Sequence, residues 1–115
     1  MRARALPLVL AAVALAAARP AGAERAREEK KGQDAVRARY TKYEYRVPMR
    51  DGVKLFTSVY VPKDAGRDRR YTVLLTRTTY GIAPYGSDAY RESVGPSEAA
   101  QKEGFIFAYQ DVRGR

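Results

Sequence analysis

The stretch "LLTRTTYG", residues 74–81, joins an apolar run to an arginine, three threonines in close order, a tyrosine and a glycine. Its first half continues "YTV" (71–73) into "YTVLLT" (71–76), which reads as a strand covered on both faces because the apolar residues run on without alternating. Its second half opens residues 77–96, an irregular stretch carrying Gly81, Gly86, Gly95, Pro84 and Pro96. A loop of that length in so short a domain tends to be functional. Tyr80, at the junction of strand and loop, is either a turn residue or a hydroxyl aimed at chemistry.

Upstream, "YTKYEYRVPM" (40–49) sets Thr41, Tyr43, Tyr45 and Val47 on one side and Lys42, Glu44 and Arg46 on the other. That is the period of a half-buried strand. "RDGV" (50–53) is a turn, since Asp-Gly readily takes the positive φ that a hairpin needs. "VKLFTSVYV" (53–61) is the return strand, stopped by Pro62. Downstream, Ser97 is placed to cap a helix through "EAAQKE", and Gly104 to end it. "FIFAYQ" (105–110) is a fourth strand, and the helix before it implies a right-handed parallel crossover from the third. The order predicts an α/β sheet with an antiparallel front edge. The two apolar strands call for further strands or helices to cover them, so the chain is expected to be the N-terminal part of a larger domain.

The first residues stand apart. A positive start (Arg2, Arg4), the uncharged apolar run "ALPLVLAAVALAAA" (5–18) and the A-x-A of Ala21 and Ala23 predict a signal peptide over 1–23, cleaved after Ala23. The run has 14 residues, short of the roughly 18 or more of a membrane span. An exported protein, periplasmic or extracellular, with no membrane attachment after cleavage is the expectation. Residues 24–39, "ERAREEKKGQDAVRAR", hold only Val36 as a large apolar residue, so a frayed helix or charged flexible arm is expected there.

The chain of 115 residues carries a net charge of +9 and has no histidine and no cysteine. A basic protein invites a nucleic-acid reading. Here the charges are interspersed, and no basic run is interleaved with aromatics, which argues against nucleic acid as a partner. Lacking His and Cys, the scattered carboxylates show no metal-ligand spacing, and no cofactor is expected. The absence of cysteine also excludes a disulfide framework.

Three blocks, "YRVPMRDGVKLFTSVYVP", "LLTRTTYG" and "GPSEAAQKEGFIFAYQDVRGR", in this order, resemble the start of the cocaine esterase / α-amino-acid ester hydrolase / X-Pro dipeptidyl-peptidase family over residues 40–115. The resemblance implies the N-terminal portion of an α/β-hydrolase catalytic domain, cleaving esters or amides of small molecules or peptides through a Ser-His-Asp triad. It also implies that Tyr80 donates from its hydroxyl to the oxyanion, opposite a backbone N–H that follows the nucleophile. Two departures limit what carries over. No Gly-x-Ser-x-Gly and no histidine occurs in these residues, so nucleophile and base are missing, and the chain alone is expected to be inactive. The family's R-T-P-Y is here Arg77-Thr78-Thr79-Tyr80, without the proline that would stiffen the loop.

Other residues are read more plainly. Ser58, Ser87, Ser93 and Ser97 lack the elbow and any imidazole partner, and are expected as surface, turn and cap residues. Arg77 is expected to pair with a strand-end carboxylate such as Asp111, and Asp111 to anchor a loop rather than serve as the triad acid. Tyr85 and Tyr90 are candidates to line a substrate pocket. An alternative from another class is a secreted β-rich binding module whose tyrosines make the contacts.

Overall fold

A computed structural model describes Ala17 and residues 20–114. The leader expected over 1–23 therefore lies mostly outside the described residues. The elements run α1 (Ala21–Arg39), β1 (Tyr40–Pro48), β2 (Lys54–Pro62), β3 (Val73–Thr78), α2 (Glu98–Glu103) and β4 (Ile106–Asp111). The strands form one mixed sheet in the order β1-β2-β4-β3. β1 and β2 pair antiparallel from Tyr40 opposite Pro62 to Pro48 opposite Lys54. β2 and β4 are antiparallel as well, whereas β3 and β4 are parallel.

The hairpin closes as its sequence requires. The Gly52 N–H donates to the Met49 carbonyl at 3.0 Å and the Met49 N–H to the Val53 carbonyl at 2.7 Å. Gly52 takes φ 85°, a value that side chains resist, in the three-residue loop ending in a left-handed residue. At α2, Ser97 Oγ accepts from the Ala100 N–H at 3.2 Å, and Gly104 is the C-cap at φ 83°.

The core lies on one face of the sheet. Tyr40, Tyr60, Phe107 and Tyr109 rise from the strands, while Val36 of α1 and Ile82 and Val94 of the long loop close over them. Residues 24–39 lie within α1, and their one large apolar side chain, Val36, is 1% exposed. α1 comes so close to the loop that a Cβ on Gly32 would stand 2.6 Å from the Glu92 carbonyl oxygen.

The structure decides which side of β1 is buried and how far each apolar strand is covered, and it corrects the expectation for Ser58. The buried side of β1 is the charged one: Lys42 is 3% exposed, while Tyr43 and Tyr45 are 45% and 52% exposed. The loop that covers the sheet offers Lys42 a ring of carbonyls, so the polar side turns inward. Of the two apolar strands only β4, flanked by β2 and β3, is covered; β3 is at the sheet margin with Val73 and Leu75 about half exposed. Ser58 is buried rather than on the surface, because its place on β2 faces Tyr109 across the ladder.

Candidate active site

Parallel pairing of β3 with β4 sets Thr78 beside Asp111. The carboxyl ends of both strands therefore meet, the position where open α/β sheets carry their ligand sites. Tyr80 follows two residues beyond Thr78 and is 89% exposed. Its backbone N–H donates to Thr78 Oγ1 at 3.1 Å, a short local turn that ends the strand. Gly81 follows at φ 92°. The phenol is left facing outward and makes no hydrogen bond among the described residues.

From there the chain folds back across the sheet. Tyr85 stacks at a tilt on Phe56, ring centroids 5.3 Å apart, and its hydroxyl donates to Asp111 Oδ2 at 2.9 Å. Asp111 is thus a loop anchor, but its partner is Tyr85 and not Arg77. Arg77 Nε instead donates to Gln110 Oε1 at 2.9 Å, and Gln110 Nε2 passes the chain on to Thr57 Oγ1 at 2.9 Å. The register explains the exchange. Arg77 lies opposite Gln110, and successive residues of a strand point to opposite faces, so Asp111 is on the other side of the sheet.

Tyr90 is drawn into the packing. Its ring meets Tyr60 edge-on at 6.0 Å, Arg37 lies 5.0 Å above it, and its hydroxyl accepts from the Lys42 N–H at 3.1 Å. Arg91 crosses the ring of Tyr109 at 4.4 Å, while its own N–H reaches the Tyr60 hydroxyl at 3.3 Å. Burial pushes the Tyr60 phenol up to about 12.

The loop's main anchor was not visible as a functional residue in the sequence. Lys42 Nζ donates to the carbonyls of Pro84, Gly86 and Ala89 at 2.6, 2.9 and 2.7 Å. Glu44 Oε1 lies 3.3 Å from the same ammonium and accepts from the Gly86 N–H at 2.6 Å. Burial pulls the Lys42 pKa below its ordinary value, and the Glu44 hydrogen bond offsets part of that. The sequence signal was a lysine and a glutamate two apart on one strand side, which exposed strands carry as well.

The surroundings can do the following chemically. They hold an exposed phenol at the end of a parallel strand pair, next to a loop tied to the sheet by hydrogen bonds with Lys42, Glu44, Tyr60 and Asp111. Among the described residues they bring no serine beside a base, and Ser97 is the helix cap that the sequence predicts.

Comparison with known proteins adds the context. The family model described as X-Pro dipeptidyl-peptidase (S15 family) matches residues 51–115. An aminopeptidase from a marine sediment archaeon, Thaumarchaeota archaeon, superposes with a TM-score of 0.54 at 34% identity, over 66% of this chain and 13% of its own. An α-amino acid ester hydrolase superposes with a TM-score of 0.53 at 34% identity, again over 66% of this chain and 13% of its own. Comparison with curated proteins returns no match. The match therefore spans about an eighth of the length of these two solved structures.

Proposed function

Because the chain belongs to the X-Pro dipeptidyl-peptidase (S15) family, we propose that it forms the opening part of a serine-type acyl-transfer hydrolase acting on small-molecule or peptide esters and amides. Its contribution is half of an oxyanion site. Attack on the carbonyl develops negative charge on oxygen, and a donor already in place stabilises the transition state more than the ground state. The phenol of Tyr80 fills that role, because its O–H is a hydrogen-bond donor that can point at the developing oxyanion. The observation that carries this reading is the location of Tyr80, exposed just past the end of β3 and level with the end of β4. The loop after the third strand is where α/β-hydrolases build one side of the oxyanion hole.

The nucleophilic serine, the histidine and the aspartate would then come from sequence other than these residues, and the chain by itself would not turn over substrate. Export by a leader over 1–23 belongs to the same proposal.

A fluorophosphonate probe tests it. Residues 24–115 should take up no label, while a polypeptide that continues this reading frame through a Gly-x-Ser-x-Gly elbow should label at one site. Stoichiometric labelling of residues 24–115 would overturn the incomplete site. Cooperative unfolding of a soluble monomer, with no labelled longer product, would favour a binding module instead.

A further inference from the structure

A lysine ammonium is among the costliest groups to bury, and it stays charged inside a protein only where its protons are taken up. The side chain of Lys42 is 0% exposed. It has three protons to give, and three loop carbonyls receive them, from Pro84, Gly86 and Ala89. Glu44 supplies the countercharge and, through the Gly86 N–H, a fourth tie to the same turn. The backbone N–H of Lys42 adds a fifth, to the Tyr90 hydroxyl. Residues 79–97 contain no helix or strand, so their buried backbone groups need partners from elsewhere. For the carbonyls of Pro84, Gly86 and Ala89 and the N–H of Gly86, this pair of side chains provides them.

The grip is local and directed. Two of the three carbonyls, those of Pro84 and Gly86, flank Tyr85, and Tyr85 in turn reaches Asp111 at the end of β4. We propose that Lys42 and Glu44 are positioning residues, an internal ion pair around which residues 84–89 are wound and which sets the loop against the carboxyl ends of β3 and β4. That the loop so positioned is catalytic rests on the hydrolase reading of Tyr80. Arginine is a poor substitute, since its donors lie in a planar fork and do not radiate from one nitrogen towards three carbonyls gathered around it.

The test is amide hydrogen exchange on the whole chain, which needs no catalysis. Lys42→Met should speed exchange at the Gly86 and Ala89 amides by about tenfold or more while Val59 and Ala108, in the β2–β4 ladder, keep their protection. The chain has no native cysteine, so Lys42→Cys can be alkylated in denaturant and refolded. Aminoethylation, which rebuilds an ammonium of lysine's length, should restore protection at Gly86, and a neutral propyl group should not. The proposal is overturned if Lys42→Met leaves the loop amides unchanged, or if it exposes the ladder equally. It is overturned too if the propyl adduct restores as well as the ammonium, or if the Gly86 amide of the unaltered chain exchanges like an unfolded peptide. Failure of fluorophosphonate labelling in the longer reading frame would remove the catalytic meaning of the loop and leave the exchange result standing, so the two failures are separable.

Discussion

The Tyr85 hydroxyl donates to Asp111 Oδ2 across 2.9 Å, tying the middle of the long loop to the last residue of β4. Asp111 is 3% exposed, and its other oxygen, Oδ1, is buried with no hydrogen-bond partner among the described residues. Removing the donor from a carboxyl so enclosed leaves it short on both oxygens. Tyr85→Phe should therefore cost about 1.5–3 kcal/mol in urea unfolding, the range for hydrogen bonds to charged groups. Asp111→Asn, which keeps an acceptor and drops the charge, should cost less. An equal or reversed order would show that the bond does not hold the loop.

Tyr80 should separate stability from catalysis. With its side chain in solvent, Tyr80→Phe should shift unfolding by no more than about 0.5 kcal/mol. In a longer polypeptide that includes the nucleophile, kcat should fall by about 10²–10³, the usual loss for one oxyanion donor. Steady-state kinetics with KM near its original value would support the role, and an unchanged kcat would refute it.

Tyr60 gives a pH dependence with a definite sign. Folded, it holds its proton up to about 12; unfolded, it releases it near 10. Between these values the unfolded state has lost a proton that the native state keeps. Stability from this group is complete below pH 10 and is lost as the pH rises towards 12, by roughly 2–3 kcal/mol in all. Tyr90, Tyr109 and the Lys42 ammonium face the ring, the Arg91 N–H donates to its hydroxyl, and the Arg91 charge opposes part of the rise. Denaturant midpoints across this range should fall more steeply for the native chain than for Tyr60→Phe.

Val36 holds α1 to the sheet. The helix buries no other side chain among those described, and Val36→Ala removes two buried methylene equivalents, about 1.6 kcal/mol. Helical circular dichroism should drop while the β2–β4 amides keep their protection.

Gly95 is bound to its place by Phe107. Its φ is 81°, and a Cβ there would stand 2.6 Å from the Phe107 ring. Gly95→Ala should destabilise by about 1–3 kcal/mol, the cost of overpacking, before backbone strain is added. Thermal unfolding reads it directly.

Much of this molecule is legible in its sequence wherever a local rule is strong. Asp51-Gly52 marks the hairpin, and Ser97 and Gly104 bracket α2 at the residues that cap it. The β3-loop-α2-β4 order leads to parallel pairing. What escaped was set by long-range context. Alternation along β1 separates two sides but does not say which is buried, and the answer depended on a loop forty residues on that presents carbonyls to Lys42. The partner of Asp111 followed from which face of β3 carries Arg77, a matter of register. Ser58 looked like a surface residue because serine usually is one, and only its place opposite Tyr109 buries it. Tyr80 is exposed two residues past the end of β3, and its role as an oxyanion donor remains the proposal that the labelling and kinetic experiments test.

The strand order β1-β2-β4-β3 has a consequence for how the protein is made. The β1–β2 hairpin can pair as soon as it leaves the ribosome, because its partners are neighbours in sequence. β3 emerges next, and among the described strands its partner is β4, which is synthesised only after the long loop and α2. For that interval a strand bearing Val73, Leu74 and Leu75 is unpaired, with a free edge of the kind that invites aggregation. β4 then slots between two strands already present and completes both ladders at once. Until β4 is available to pair, β3 is the segment that a chaperone holding the unfolded chain would be expected to cover.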